Sequence, residues 1–413
     1  MNIAVFGLGF VGLTTALGFA DKGFTVRGFD INETRCGEIA ACRVPFHEPG
    51  LDDALVRNLN KTFTLVNSAI DAVKDCDICF MCVGTPGTPD GGADLTYLYA
   101  AIDSIVAKVS PECVFVVKST VPPGTTSTKV EPYVRGLGYS NSVAANPEFL
   151  REGYCWEDFV YPDRVVCGIN DEHSEKLLAE IYAPFGAPVE FVEPNTAEFI
   201  KYLSNSLLAT MISYANEMAL LADTVGDINV AKAFRTLHTD KRLAGSGIAS
   251  YIYPGAGYGG YCLPKDTEAL SFLANSHGLT TEMLDSGIKM NHSMPKRWAD
   301  KIATIVSDTD VSIGILGLSF KPGSDDVRDS PSAKIIKELM TMGYKNFYAY
   351  DPLANKEFAD LFDLDINYCN SITEVCANAK AVALITAWEE FKAVDTEYPE
   401  NQFIDCRYYL GRS

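Results

Sequence analysis

Positive charge is scarce in this chain: Lys and Arg number 34 against 54 Asp and Glu, a formal net charge of −20. That balance excludes an ordinary nucleic-acid binder, because holding a phosphate backbone requires basic surface. A phosphorylated ligand would need local Lys and Arg within an acidic shell. Histidine is scarcer still, with five residues that form no metal-ligand cluster, and neither a Ser-His-Asp nor a metalloprotease pattern is present. Residues 1–20 carry no charge at all, yet no basic segment precedes the apolar run and four glycines punctuate it. This argues against a leader or a membrane span. Twelve cysteines in 413 residues are too sparse for a disulfide scaffold. The expectation is a cytoplasmic protein with no nucleic-acid or membrane partner. No short repeat or low-complexity tract interrupts a composition that is 47% apolar, enough for two or three cores.

Alternation of apolar runs and helical stretches organises the chain. Ile3 to Phe6 reads as a strand, Gly7 to Lys22 as a turn and helix, and Thr25 to Phe29 as a second strand that ends in Asp30. Further strands are expected at 78–83, 114–118, 142–145 and 165–168, the pattern of a doubly wound parallel sheet. A segment free of Gly and Pro runs from Asn195 to Val225 and is bounded by Pro194 and Gly226. It predicts a helix of about 45 Å, with Asn195 as its cap and Glu198 at the third position. Ile200, Leu203, Leu207, Met211, Ala215 and Met218 recur along it at helical spacing, which suggests a spine and a dimer surface. From Val311 the opening theme repeats, with a strand, Gly317, a helix at 331–342, a strand at 346–350 and then Asp351. The expected class is α/β: two Rossmann-like doubly wound parallel-sheet domains joined by a long central helix and a helical middle domain, at 1–195, 196–310 and 311–413.

Three motifs carry chemistry. Gly7-Leu8-Gly9-Phe10-Val11-Gly12 follows a strand and opens a helix, with Asp30 eighteen residues after Gly12. Gly7 permits the turn, Gly9 lets a pyrophosphate approach the backbone, and Gly12 lets helix and sheet pack closely. Asp30 would bind ribose hydroxyls and repel a 2′-phosphate, which favours NAD over NADP. Lys201 and Asn205 lie one turn apart on an otherwise apolar helix, as a solvated stripe or as two donors converging on an oxygen that becomes negative. Cys262 lies in Gly257-Tyr258-Gly259-Gly260-Tyr261-Cys262-Leu263-Pro264-Lys265-Asp266. It reads either as a small buried hydrophobe or as a loop nucleophile. Overlapping C-x-x-C spacings at Cys76, Cys79 and Cys82 have no second ligand pair with matching spacing, so no metal is expected.

Seven motifs in order resemble the UDP-glucose/GDP-mannose dehydrogenase family along nearly the whole chain. They are the Gly7 to Gly12 turn, Val83 to Pro86, Lys118 to Thr125, Asn146 to Gly153, the Lys201/Asn205 helix, the Cys262 decapeptide, and Ser319 to Pro322 through Asp326 to Arg328. The resemblance implies oxidation of a nucleotide sugar's C6 alcohol to a carboxylate with two NAD⁺, through a thiohemiacetal and thioester on Cys262. Lys201 and Asn205 would stabilise the oxyanion, and Glu148 would position water with Thr120 and Asp266. Lys201, or Asp266 through a water, would take the first proton. By the same correspondence Gly7, Gly9, Phe10, Val11, Gly12, Asp30, Arg35, Thr85, Thr120, Glu152 and Arg328 would hold NAD. Glu148, Phe149, Leu150, Arg151, Lys201, Asn205, Tyr253, Gly255, Tyr258, Gly259, Phe320, Lys321 and Arg407 would hold the sugar nucleotide, and the last domain would bind its UDP.

Two departures stand out. Asp240-Lys241-Arg242-Leu243-Ala244-Gly245 replaces the usual D-x-R-I-G, and Cys406 precedes Arg407 where glycine is common. The Leu263 to Asp266 tail and Trp388 to Phe391 resemble the UDP-glucose branch, whereas Tyr253-Pro254-Gly255 resembles the GDP-mannose branch. UDP-N-acetylhexosamine oxidation, a two-electron alcohol dehydrogenase and a non-catalytic NAD sensor are the other readings. A homodimer through the long helix is expected.

Overall fold

The computed structural model describes residues 1–245 and 247–410. Its contacts divide the chain into two compact units, Met1–Ser204 and Asn205–Ser413, with the boundary inside the long helix.

The first unit is built on eight short strands: β1 Asn2–Phe6, β2 Thr25–Phe29, β3 Phe63–Leu65, β4 Ile78–Met81, β5 Val114–Val117, β6 Val143–Ala145, β7 Val165–Gly168 and β8 Val189–Val192. Their order is β3-β2-β1-β4-β5-β6-β7-β8. β4 and β5 are buried at every position, as expected of strands covered on both faces. Separate apolar clusters fill the unit, one around Phe19 and Phe80, the other around Phe6, Ile102 and Phe115. Phe19 is fully buried among the rings of Phe24, Phe80, Phe159, Tyr182 and Phe185, a burial that stabilises by roughly 2–3 kcal/mol. One expectation fails in detail: β6 and β7 pair antiparallel, at Ala145 and Gly168. The connection between them, residues 146–164, contains the short helix Cys155–Val160.

The second unit holds five parallel strands, β9 Ile313–Leu316, β10 Phe347–Tyr350, β11 Asn367–Tyr368, β12 Ala381–Leu384 and β13 Gln402–Asp405, ordered β11-β10-β9-β12-β13. Met294, Trp298 and Ile302 share one apolar cluster with Ile313, Ile315 and Ile336. The helix Glu282–Ile305 is therefore part of this core.

The long helix is Pro194–Val225. Proline, with its fixed φ and missing N–H, suits the first position, and Gly226 at φ +80 ends the helix. Glu198 does not act as a cap partner. Its carboxylate accepts from Gly124 N at 2.7 Å, from Thr126 N at 2.8 Å and from Thr126 Oγ1 at 2.6 Å. Among the described residues no helix is long and apolar enough to cross a membrane.

Candidate active site

In the first unit the glycine turn after β1 is dictated by close approach. A Cβ on Gly12 would stand 1.6 Å from the carbonyl oxygen of Gly7, so no other residue fits. Gly9 is different: a Cβ there would meet nothing within 4 Å. Its bareness has no packing cause, and it leaves open backbone at the N-terminus of the helix Phe10–Asp21, which Phe10 and Val11 begin. Exposed amides at a helix N-terminus suit a pyrophosphate. Asp30 closes the turn from the end of β2, accepting from Leu8 N at 2.6 Å and from Asn32 N at 2.8 Å while pairing with Arg35 at 2.9 Å. These residues fit a dinucleotide.

At the ends of β4 to β6, Thr85 Oγ1 donates to the carbonyl oxygen of Thr120 at 2.8 Å. Glu148 is buried, accepts from Leu150 N at 2.6 Å and pairs with Lys201 at 3.1 Å. The Lys201 ammonium also lies 5.5 Å from the Phe149 ring centroid. Two charges so deeply placed hold each other in place, since either one alone would be costly to bury. A small cavity of about 10 Å³, room for about one water, is lined by Thr120, Pro147, Glu198 and Lys201, among others. Burial pushes the Glu198 carboxyl up to about 7. Arg151 turns away to a 2.6 Å pair with Asp158, and neighbouring Glu152 precedes Gly153, whose N–H donates to Glu48 at 2.9 Å. Glu48 is buried and ties down this loop through Gly153 N and Trp156 N.

In the second unit Cys262 is exposed, lies outside any disulfide and begins the helix Cys262–Ser276. It therefore stands at a helix N-terminus rather than within a loop, where the free amides and helix dipole favour negative charge. The glycines before it answer to packing, since a Cβ on Gly259 would lie 2.4 Å from the carbonyl oxygen of Asp329. Gly260 N also donates to the carbonyl oxygen of Arg328 at 2.9 Å. One turn on, Asp266 is 1% exposed, with one oxygen accepting from Asn205 Nδ2 at 2.6 Å and the other pairing with Lys265 at 2.6 Å. Asn205 is thus oriented by Asp266, whereas Lys201 is held by Glu148.

The loop that precedes the cysteine is clamped by residues that sequence reasoning did not single out. Asn216 accepts from Gly255 N at 2.7 Å, Trp298 donates to the Gly255 carbonyl at 3.0 Å, and Asn291 bonds both N–H and C=O of Tyr258. Tyr258 is buried and Tyr253 donates to the carbonyl oxygen of Tyr408 at 2.7 Å. The only advance signal was a buried amide on an apolar helix. Arg407 lies against Gly255, and its Nε is buried with no hydrogen-bond partner among the described residues. An orphaned guanidinium nitrogen of this kind suits an anionic ligand. Lys321 has its ammonium 5.6 Å from the Phe320 ring centroid. Arg328 is bidentate to Asp326 and lies over the Tyr261 ring. Arg242, in the divergent segment, is a surface residue paired with Asp240 at 2.6 Å.

Comparison with known proteins matches these parts in order. Residues 1–186 match the NAD binding domain of the UDP-glucose/GDP-mannose dehydrogenase family, 195–293 its central domain and 314–412 its UDP binding domain. The chain is 36% identical over 403 residues to a UDP-glucose 6-dehydrogenase of Rickettsia bellii, covering 96% of this chain and 91% of that one. Among solved structures it is similar to a UDP-glucose dehydrogenase from Pyrobaculum islandicum, with a TM-score of 0.93, 36% identity and coverage of 99% and 94%. A UDP-D-ManNAc dehydrogenase from Pyrococcus horikoshii follows at 0.88, 28%, and coverage of 100% and 97%. The chain belongs to the UDP-glucose/GDP-mannose dehydrogenase family of NAD-dependent oxidoreductases.

Proposed function

We propose that the chain oxidises the C6 alcohol of UDP-glucose to the carboxylate, in two hydride transfers with a covalent stage on Cys262. The observation that carries this reading is an exposed thiol at a helix N-terminus, one turn from the buried Asn205-Asp266-Lys265 group. NAD⁺, when bound, supplies the hydride acceptor for each two-electron step. Gly7, Gly9, Phe10, Val11, Gly12, Asp30, Arg35, Thr85, Thr120, Glu152 and Arg328 would hold it. Lys201, or Asp266 through a water, takes the alcohol proton in the first oxidation. Because both oxygens of Asp266 already accept from Asn205 and Lys265, Asp266 is better suited to orienting the amide, which favours Lys201. The Cys262 thiolate then adds to the aldehyde carbon, and the resulting oxyanion is met by Lys201 and Asn205. Loss of the second hydride leaves a thioester. Water oriented by Glu148 and Thr120 cleaves it, releasing the acid and the thiol. Arg407 and Lys321 supply the local positive charge for the diphosphate, with Phe149 to Arg151, Tyr253 to Gly259 and Phe320 completing the sugar-nucleotide contacts. We assign residues 1–195 to the cofactor, 196–310 to the thiol and subunit contact, and 311–413 to UDP.

Supporting UDP-glucose are the names of the relatives in the comparisons above; GDP-mannose and UDP-N-acetylhexosamines are the competing substrates. The test is NADH yield per sugar with UDP-glucose, GDP-mannose and UDP-N-acetylglucosamine, for the intact protein and for Cys262→Ala. Two NADH per UDP-glucose are expected, with acid formation lowered by roughly 1,000-fold or more in the variant. One NADH with an unaffected variant would leave a simple alcohol dehydrogenase.

A homodimer through the long helix is also proposed. Leu203, Leu207, Tyr214, Leu221 and Val225 are each 44% to 66% exposed and recur at intervals of four or seven residues, an apolar stripe that calls for a partner. Leu207→Asp should shift the sedimentation profile from dimer to monomer; an unchanged profile would place the contact elsewhere.

A further inference from the structure

The C-x-x-C spacing at Cys76 and Cys79 lacks a partner in sequence, but the fold supplies one. Cys79 lies within β4, Cys113 immediately precedes β5, and the two strands pair in parallel with Ile78 opposite Val114. The Sγ atoms of Cys76 and Cys79 stand 3.5 Å apart, those of Cys79 and Cys113 3.7 Å apart, and all three lie within 4.8 Å of one another. None of the three belongs to the reaction: they occupy the starts of their strands, whereas the glycine turn, Thr85, Thr120 and Glu148 follow the strands' C-terminal ends.

We propose that Cys76, Cys79 and Cys113 form a trigonal three-thiolate site for a soft monovalent cation, copper(I). Three sulfurs around one ion at about 2.3 Å stand about 4 Å apart, so the cluster needs to open by only a few tenths of an ångström. The choice of ion follows from the donors. Among the described residues no fourth His, Cys or carboxylate joins the group, whereas structural zinc requires four ligands and hard cations require oxygen. Thiolates without a fourth donor select copper(I). Burial of 6%, 0% and 1% among apolar neighbours such as Ala72, Val73, Ile105 and Val106 keeps water and oxidants away. Loading exchanges three thiol protons for one cation, with no change of oxidation state.

The test uses the full chain, reduced and anaerobic, titrated with copper(I) in competition with bicinchoninate. One equivalent per chain should be withdrawn from the chelator, and X-ray absorption should report three sulfurs at a single distance. Cys113→Ala should weaken binding by more than the roughly 100-fold that loss of an outer-shell partner costs, while NADH turnover, which does not draw on this residue, reports that the variant is folded. Cys76→Ser gives the same readout should Cys113→Ala not fold, and Cys262→Ala should bind copper as the parent does. No withdrawal by the parent, equal binding by both cluster variants, a count of two sulfurs, or a Cys76–Cys79 disulfide in place of the ion would each overturn the proposal.

Discussion

The two sheets begin with the same turn and finish it in opposite ways. Gly7 N donates to Phe29 O and Gly317 N to Tyr350 O, both at 2.9 Å. Leu8 N reaches Asp30 at 2.6 Å and Leu318 N reaches Asp351 at 2.8 Å. There the likeness ends. Gly9 leaves its backbone open, but its counterpart Ser319 gives both its N–H and its hydroxyl to Asp351, which also accepts from Trp388, Leu353 and Ala354. The strand-end aspartate thus leaves the third residue of the turn uncommitted in one unit and ties it to the protein in the other. In the second turn the N–H groups of Leu318, Ser319 and Phe320 are all taken by the protein, by Asp351 and by the carbonyl oxygen of Asp326, in keeping with the proposed assignment of its unit to a different nucleotide.

The sharpest way to break this comparison is to exchange the two aspartates for alanine. Asp351→Ala strands five backbone and indole donors and should cost about 4 kcal/mol in denaturant unfolding. Asp30→Ala should cost about 1 kcal/mol and instead raise the KM for NAD⁺ more than tenfold. Equal stability losses would dissolve the distinction. The glycines make the same point with a smaller effect. Gly317→Ala, at φ +92 with Thr386 2.4 Å from the new Cβ, should lose roughly 3 kcal/mol. Gly9→Ala should stay within about 0.5 kcal/mol while weakening NAD⁺ binding, read by calorimetry.

A further test is a pH dependence confined to the first unit. Glu198 is raised to about 7, so its contribution to stability is full below the ordinary carboxylate value and is lost as pH rises through about 7. Hydrogen exchange should show the first unit losing on the order of 2 kcal/mol between about pH 5 and pH 8, with the slope abolished in Glu198→Gln. A slope that persists in the variant would assign it to another group.

Much of this was legible in the chain because it is local. The turn from Gly7 to Gly12, the inner strands of both sheets, the repeat beginning at Val311 and the long helix all follow from period and punctuation within windows of about twenty residues, whereas the edge strands β3, β8, β11 and β13 were not read. What escaped depends on distant partners. Nothing near Glu198 announces Thr126, nothing near Glu48 announces Gly153, and the pairing of Asn205 with Asp266 spans 61 residues. The antiparallel joint of β6 and β7 was invisible for the same reason, since strand direction is set by the path of the connection rather than by strand composition. Cys262 was misplaced in a loop because the glycines before it obscure a helix that starts at the cysteine itself.

Those glycines have a consequence for biosynthesis. The segment that carries Cys262 is seated against Arg328 and Asp329, through the Gly260 bond and the close passage of Gly259, residues made some seventy positions later. A nascent chain that has completed its first sheet by Val192 therefore still lacks the surface against which the Cys262 segment is seated. The order of synthesis leaves that segment unheld until Arg328 and Asp329 have been made.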